Sequence, residues 1–122
     1  MNVLLIEPDS KLAKTYTAAL REAGHTVIHC LHAQDAVHAS DRARPDVVVL
    51  ELQLRKHGGM EFLYEFRSYG EWQGIPVILL TMVPDSAFAV SKAGLRQLGI
   101  VSYLYKPSTT LRQLVEAVEA VS

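Results

Sequence analysis

Short apolar runs recur along this chain, and each is followed by a segment with helical periodicity. Four of the runs are apolar and often β-branched, which is typical of strands that are buried on both faces of a sheet: Val3–Ile6, Val47–Leu50, Pro76–Leu80 and Ile100–Leu104. A fifth run, Thr26–Cys30, is less apolar, and we expect it to form an edge strand.

The intervals between these runs carry apolar residues at helical spacing. Ser10 is expected to cap the first helix, which ends at Gly24. The other helices are expected over about Ala33–Ala43, from Gly59 through Phe66, over about Ser86–Leu98 with Phe88 and Val90 on its apolar face, and from Thr109 to the C-terminus. Strict alternation of strand and helix, five times over, predicts an α/β fold: one doubly wound, parallel five-stranded sheet covered by helices on both faces.

Length and composition narrow the class of protein. The chain has 122 residues, which suits one ordinary domain, and we expect a single domain over residues 1–122. Its formal net charge of −1 provides no bulk electrostatic attraction to nucleic acid or to an anionic membrane. A lone cysteine, the lack of a signal peptide and the lack of an apolar run of about 20 residues predict a cytoplasmic protein.

Polar side chains follow four of the predicted strands. Glu7 and Pro8 follow the first strand, Glu51 the third, Thr81 the fourth and Lys106 the fifth. The carboxyl ends of parallel strands meet at one edge of a sheet, where such folds place their functional crevice. A carboxylate, an ammonium and a hydroxyl in one place are suited to handling a phosphoryl group.

Four segments of the chain form a recognisable set: VLLIEPD, DVVVLELQLRKHGGMEFL, PVILLTM and YLYKP, with Gly59, Thr81, Tyr103 and the pair Lys106–Pro107 among their residues. In these features, and over essentially its whole length, the chain resembles the receiver domains of bacterial two-component response regulators. The resemblance implies a flavodoxin-like fold, a role in phosphorelay signal transduction and a phosphoacceptor at the position of Glu51. It also implies that Thr81, Tyr103 and Lys106 are phosphate-contact or switch residues.

Three departures from the family pattern affect the acceptor site. Glu7–Pro8 replaces a pair of aspartates whose second member is usually a direct metal ligand, so Glu7 is left in an incomplete metal site. Glu51 replaces the acceptor aspartate, and Arg55 replaces a loop proline. The extra methylene moves the carboxylate of Glu51 by about 1.5 Å, and a misplacement of about 1 Å can cost on the order of a hundredfold in in-line transfer. The longer side chain should instead reach Lys106 and imitate the charge contact of a phosphorylated aspartate.

These residues leave several functions open. The leading hypothesis is a pseudo-receiver: a non-enzymatic, phosphorylation-independent signalling module with no cofactor. The alternative is a working phosphoacceptor that takes its phosphoryl group from a histidine kinase or a small donor with Mg²⁺. A small-ligand binder is the third class, and no glycine-rich loop follows the first strand to support it. The Glu51–Lys106 pair could also be purely structural, and Arg55, Lys56 and His57 could bind an anion or form a solvated loop.

The expected partners are an output domain or a regulatory protein, with no direct contact to nucleic acid or membrane. A weak homodimer is also expected, through the face formed by the fourth helix, the fifth strand and the fifth helix. Its charged residues would be Lys92, Arg96, Arg112, Glu116 and Glu119. The histidines lack metal-ligand spacing, and Cys30 is expected to be a small buried apolar residue and not a nucleophile.

Overall fold

A single parallel sheet organises the molecule. The computed structural model describes residues 1–54, 58–87 and 91–121. Within these residues the sheet has five strands in the order β2-β1-β3-β4-β5. The strands are β1 Asn2–Ile6, β2 Thr26–Cys30, β3 Val47–Leu50, β4 Val77–Thr81 and β5 Ile100–Tyr105. The predicted α/β fold is confirmed, and β2 lies at an edge of the sheet as expected.

The helices follow the strands in alternation. They are α1 Ser10–Glu22, α2 Ala33–Arg42, α3 Gly59–Ser68, α4 Lys92–Gln97 and α5 Leu111–Glu119. Short 3-10 turns lie at Gly70–Trp72, Asp85–Ala87 and Lys106–Ser108. In the described part of the chain, no helix has the length and apolar character that crossing a bilayer requires.

The sheet separates two apolar clusters. Leu4 and Ile6 of β1 face a cluster that includes Phe62 and Phe66 of α3. The alternate residues of the same strand face a second cluster, which includes Leu20 of α1 and Leu114 of α5. Successive side chains of a strand point to opposite faces, so a strand covered on both sides must be apolar throughout. This explains the continuous apolar runs of β1, β3 and β4.

The start of α1 differs from the prediction. Asp9, not Ser10, is the capping residue: its carboxylate accepts hydrogen bonds from the backbone N–H groups of Lys11 at 2.9 Å and Leu12 at 3.0 Å. Asp9 keeps an extended backbone, and Ser10 is already the first helical residue. Both residue types are good caps, so the sequence alone did not distinguish between them.

The start of α4 also differs. Ser86, the predicted first residue, lies in the 3-10 turn Asp85–Ala87. The helix begins after Ser91, whose hydroxyl accepts a hydrogen bond from the backbone N–H of Gly94 at 3.1 Å. Phe88 and Val90, which were expected on its apolar face, lie outside the described residues. Ser91 is suited to the start of the helix because its side chain satisfies an N–H group that has no partner inside the helix.

Candidate functional site

The carboxyl ends of four strands bring together the polar side chains that the sequence placed at this edge. Glu7 lies after β1, Glu51 after β3, Thr81 at the end of β4 and Lys106 after β5. Glu7 is 1% exposed, Glu51 3% and Thr81 0%. Charged groups with so little access to water require partners nearby, because desolvation is costly.

Lys106 is the partner of both carboxylates. Its Nζ lies 2.6 Å from Oε1 of Glu7 and 2.7 Å from Oε1 of Glu51. The sequence-based hypothesis paired Lys106 with Glu51 alone and treated Glu7 only as a remnant of a metal site. The position of Glu7 at the same sheet edge was the available signal for the second contact. One ammonium therefore bridges two carboxylates, which leaves the cluster a formal charge of −1.

The carboxylate of Glu51 accepts four hydrogen bonds. Oε1 accepts from Lys106 Nζ and from the backbone N–H of Met82, the latter at 3.1 Å. Oε2 accepts from the hydroxyl of Thr81 and from the backbone N–H of Gln53, the latter at 3.1 Å. An ionised carboxylate offers about four lone-pair sites, so these donors use its acceptor capacity. The two backbone donors were not predicted, because main-chain groups carry no sequence signal.

Opposing effects act on the pKa values of Glu51 and Lys106. Burial raises the pKa of Glu51, but its hydrogen bonds from Lys106, Thr81 and the backbone of Gln53 outweigh burial, and the net shift is downward. Burial lowers the pKa of Lys106, but its hydrogen bonds to Glu51 and Glu7 outweigh burial, and the net shift is upward. Both groups are therefore held in their charged forms.

Glu7 is fixed by its own chain segment. Its Oε2 accepts a hydrogen bond from the backbone N–H of Asp9 at 3.0 Å, across the intervening Pro8. Its backbone carbonyl accepts a hydrogen bond from Nε2 of His29 on the edge strand β2 at 2.9 Å. The glutamate is thus directed at Lys106 and not at solvent.

Thr81 connects the cluster to Tyr103. The Thr81 hydroxyl, which donates to Glu51, accepts a hydrogen bond from the backbone N–H of Val83 at 3.1 Å. The carbonyl of Val83 accepts a hydrogen bond from the phenol of Tyr103 at 2.7 Å. The ring of Tyr103 is half-buried and packs against the cluster on the α3 face of the sheet. A continuous series of hydrogen bonds therefore joins Glu51 to the phenol of Tyr103.

Gly59 holds the chain that follows Glu51 close to the start of α3. A Cβ at this position would lie 2.7 Å from Cα of Leu52 and 2.8 Å from the carbonyl oxygen of Glu51. The Gly59 N–H also donates to the carbonyl of Leu52 at 2.9 Å. Arg55, Lys56 and His57, for which an anion site and a solvated loop were the alternatives, lie outside the described residues.

The residues present do not fit a magnesium ion. Mg²⁺ requires near-octahedral coordination by several oxygen atoms. Pro8 has no side-chain oxygen, and the ammonium of Lys106 already occupies an oxygen of Glu7 and an oxygen of Glu51. In the parts of the chain that the structure describes, no group of three or more His, Cys, Asp and Glu side chains is arranged to hold a metal.

Similarity to known proteins extends over nearly the whole chain. The family described as "Response regulator receiver domain" matches residues 3–119. The swarming motility regulation protein RssB of Serratia marcescens is 31% identical over 122 residues, which cover 100% of this chain and 53% of RssB. The "Probable transcriptional regulatory protein TcrX" of Mycobacterium tuberculosis is 37% identical over 81 residues, which cover 66% of this chain and 34% of TcrX. This chain thus spans about half of RssB and about a third of TcrX.

Solved structures show the same fold at low sequence identity. The chemotaxis protein CheY4 of Vibrio cholerae superposes with a TM-score of 0.84 at 21% identity, covering 99% of this chain and 98% of CheY4. A sensor protein from Polaromonas sp. JS666 superposes with a TM-score of 0.85 at 15% identity, with the same coverage of 99% and 98%. Because the family match runs from the first strand into the last helix and the fold agrees with it, this chain belongs to the response regulator receiver domain family of two-component signalling.

Proposed function

We propose that this receiver domain signals without being phosphorylated and acts through protein–protein contacts, not as an enzyme. The observation that carries the proposal is the occupied carboxylate of Glu51. It accepts hydrogen bonds from Lys106, Thr81, and the backbone N–H groups of Met82 and Gln53. The residue at the acceptor position therefore already engages the donors that a transferred phosphoryl group would need.

Phosphoryl acceptance requires a free carboxylate oxygen in line with the phosphorus atom, and free donors to neutralise the transferred oxygens. For Glu51 to present such an oxygen, buried hydrogen bonds to a charged group must break, and each contributes about 1.5–3 kcal/mol. The side chain is also longer than aspartate by one methylene, about 1.5 Å. A metal site is missing as well, because Pro8 offers no side-chain oxygen and Lys106 occupies an oxygen of both Glu7 and Glu51.

The same contacts support a permanently engaged switch. In the receiver family, the lysine and the threonine at these positions hold the phosphoryl group of the modified aspartate. Here they hold the oxygens of Glu51, and Thr81 is linked through Val83 to the phenol of Tyr103. Tyr103 is thereby fixed in a half-buried position beside α4 and α5, on the face proposed to meet an output domain, a regulatory protein or a second copy.

Mass spectrometry of the intact protein tests this function. After incubation with acetyl phosphate and Mg²⁺, the natural chain should show no added phosphoryl group. The double variant Pro8→Asp with Glu51→Asp should gain one, because it restores the acceptor length and a metal-ligand carboxylate. The single variant Glu51→Asp is the matched control, and it should gain less because the second acid is still missing.

The retained Lys106 and Thr81 favour one competing function, a working phosphoacceptor with Mg²⁺-dependent phosphorylation. A phosphoryl group on the natural chain that is lost in Glu51→Gln would establish this competing function and overturn the proposal. Titration with Mg²⁺ provides an independent check, since sub-millimolar affinity would show a competent metal site.

A further inference from the structure

Arg67, near the end of α3, directs its guanidinium at backbone carbonyls. Nε donates to the carbonyl of Leu98 at 2.8 Å. Nη1 donates to the carbonyls of Trp72 at 2.7 Å and Gln73 at 3.2 Å, and Nη2 donates to that of Ile75 at 2.5 Å. None of the ion pairs found among the described residues involves Arg67. Among these residues, Arg67 therefore does not pair with a carboxylate, and its rigid guanidinium binds backbone carbonyls instead.

The carbonyls that Arg67 binds belong to two separate segments. Leu98 is the residue that ends α4, while Trp72, Gln73 and Ile75 lie in the connection from α3 to β4. The last carbonyls of a helix have no partner inside the helix, and they attract positive charge. One side chain thus ties the C-terminal end of α4 to the segment that leads into the centre of the sheet.

α4 is held to the rest of the described structure by partly buried side chains. None of its residues is fully buried, and Leu95, together with Leu98 at its C-terminal end, is only partly buried against the apolar cluster that contains Phe66. Helices as short as Lys92–Gln97 are marginal in isolation, so tertiary contacts decide where they lie. The bond from Arg67 to Leu98 therefore adds a polar attachment to the apolar contacts that position this helix.

Gly99 provides the space that the guanidinium occupies. A Cβ on Gly99 would overlap the terminal guanidinium nitrogen of Arg67. Gly99 also has a φ of 76°, a backbone conformation that favours glycine. The turn from α4 into β5 and the placement of Arg67 consequently depend on the same residue.

The end of α4 borders a groove between α4 and β5. The groove has a volume of about 510 Å³, and its lining includes Lys92, Leu95, Arg96, Ile100, Val101 and Tyr103. Val101 is the extra residue where the pairing of β5 with β4 shifts register, and it is 52% exposed. α4 forms one wall of this groove, so a change in the position of α4 changes its width.

We propose that Arg67 is a positioning residue that fixes α4 over β5, with Gly99 kept small to admit its guanidinium, and so sets the shape of the α4–β5 groove. This role goes beyond the phosphorylation-independent function proposed above and does not depend on it.

Amide hydrogen exchange measured by NMR on the full chain tests this role. Arg67→Met keeps an unbranched apolar stem and removes all the donors. The amides of Leu95, Leu98 and Gly99 should exchange about tenfold faster or more, because the end of α4 opens locally. The amide of Leu114, in the buried part of α5, should change by less than about twofold. Arg44→Met, at an exposed arginine between α2 and β3, is the matched control and should leave all four rates unchanged.

The groove itself has a separate readout in the same spectra. The amide chemical shifts of Val101 and Tyr103 should move in Arg67→Met, while those of α1 should stay in place.

An equal acceleration of exchange throughout the protein would show a general stability role and overturn the proposal. Unchanged exchange in α4 would overturn it as well. If Arg67→Met does not fold, Arg67→Lys, which cannot reproduce the fork, replaces it with the same expected and overturning outcomes.

Coupling between Arg67 and Gly99 is tested by combining substitutions. Gly99→Ala should displace the guanidinium and accelerate exchange at Leu95 and Leu98. Adding Gly99→Ala to Arg67→Met should then accelerate exchange by less than the product of the two separate effects, because the guanidinium is already gone. Fully multiplicative effects would show that the two residues act independently and overturn this part of the proposal.

Discussion

Glu51 directly follows a strand whose four residues are all valine or leucine, in a place where an unpartnered carboxylate would be strongly destabilising. Its lowered pKa provides stability that is present above its unfolded pKa, about 4.3, and is lost as the pH falls through the folded value. The raised pKa of Lys106 provides stability that is present below its unfolded pKa of about 10.4 and is lost as the pH rises through the folded value. The pair therefore favours a plateau of stability between these limits.

Glu51→Gln should make the free energy of unfolding depend less on pH in the acid range. At pH 7 the variant should be less stable by about 3 kcal/mol, at the lower end of the cost of breaking a buried pair, because Glu7 still holds Lys106. Below pH 5 it should lose less stability than the natural chain, since a carboxylate with a lowered pKa is gone. Urea unfolding at several pH values measures both effects. Glu22→Gln, an exposed position on α1, should keep the natural pH dependence, and a natural acid slope in Glu51→Gln would contradict this role of Glu51.

At the scale of elements, α1 depends on its cap. Asp9→Ala should destabilise the protein by about 1 kcal/mol, because the backbone N–H groups of Lys11 and Leu12 lose their acceptor. Ser10→Ala should change stability by less than about 0.5 kcal/mol, as at other exposed surface positions. Thermal unfolding of the two variants side by side measures the difference. Equal losses would mean that the neighbouring serine shares the capping role.

At the scale of the whole molecule, association through α4, β5 and α5 is the expected outcome. Lys92 and Arg96 on α4 are exposed, as are Glu116 and Glu119 on α5, and a two-fold arrangement can oppose these charges. Each exposed pair contributes only about 0.2–1 kcal/mol, so apolar burial must supply most of the affinity. Sedimentation over a range of protein and salt concentrations should show a weak dimer that dissociates as salt increases.

Charge reversal identifies the interface. Glu116→Lys with Glu119→Lys should weaken the dimer, whereas Glu22→Lys on α1 should not. A dimer that survives the double reversal lies on another face. A strict monomer at hundreds of micromolar in low salt rules the dimer out altogether.

The local pattern of apolar residues in the sequence was enough to predict the architecture of this protein. The alternation of apolar runs with helical periodicity predicted the parallel sheet, because a strand covered on both faces must be continuously apolar and a helix on a sheet must be amphipathic. The same rule placed Glu7, Glu51, Thr81 and Lys106 at one edge, since the carboxyl ends of parallel strands coincide there.

Only the tertiary structure decided how those side chains are partnered. The bridge from Lys106 to Glu7, the backbone donors to Glu51 and the reach of Arg67 to the end of α4 join residues that are distant in sequence. The cap of α1 is Asp9 and not the neighbouring Ser10, and α4 begins after Ser91 and not at Ser86. In both cases the backbone dihedral angles decide which residue is the cap, and the residue types alone do not reveal these angles. Periodicity reports which face of an element is buried, whereas hydrogen bonds depend on distances that exist only once the elements are packed.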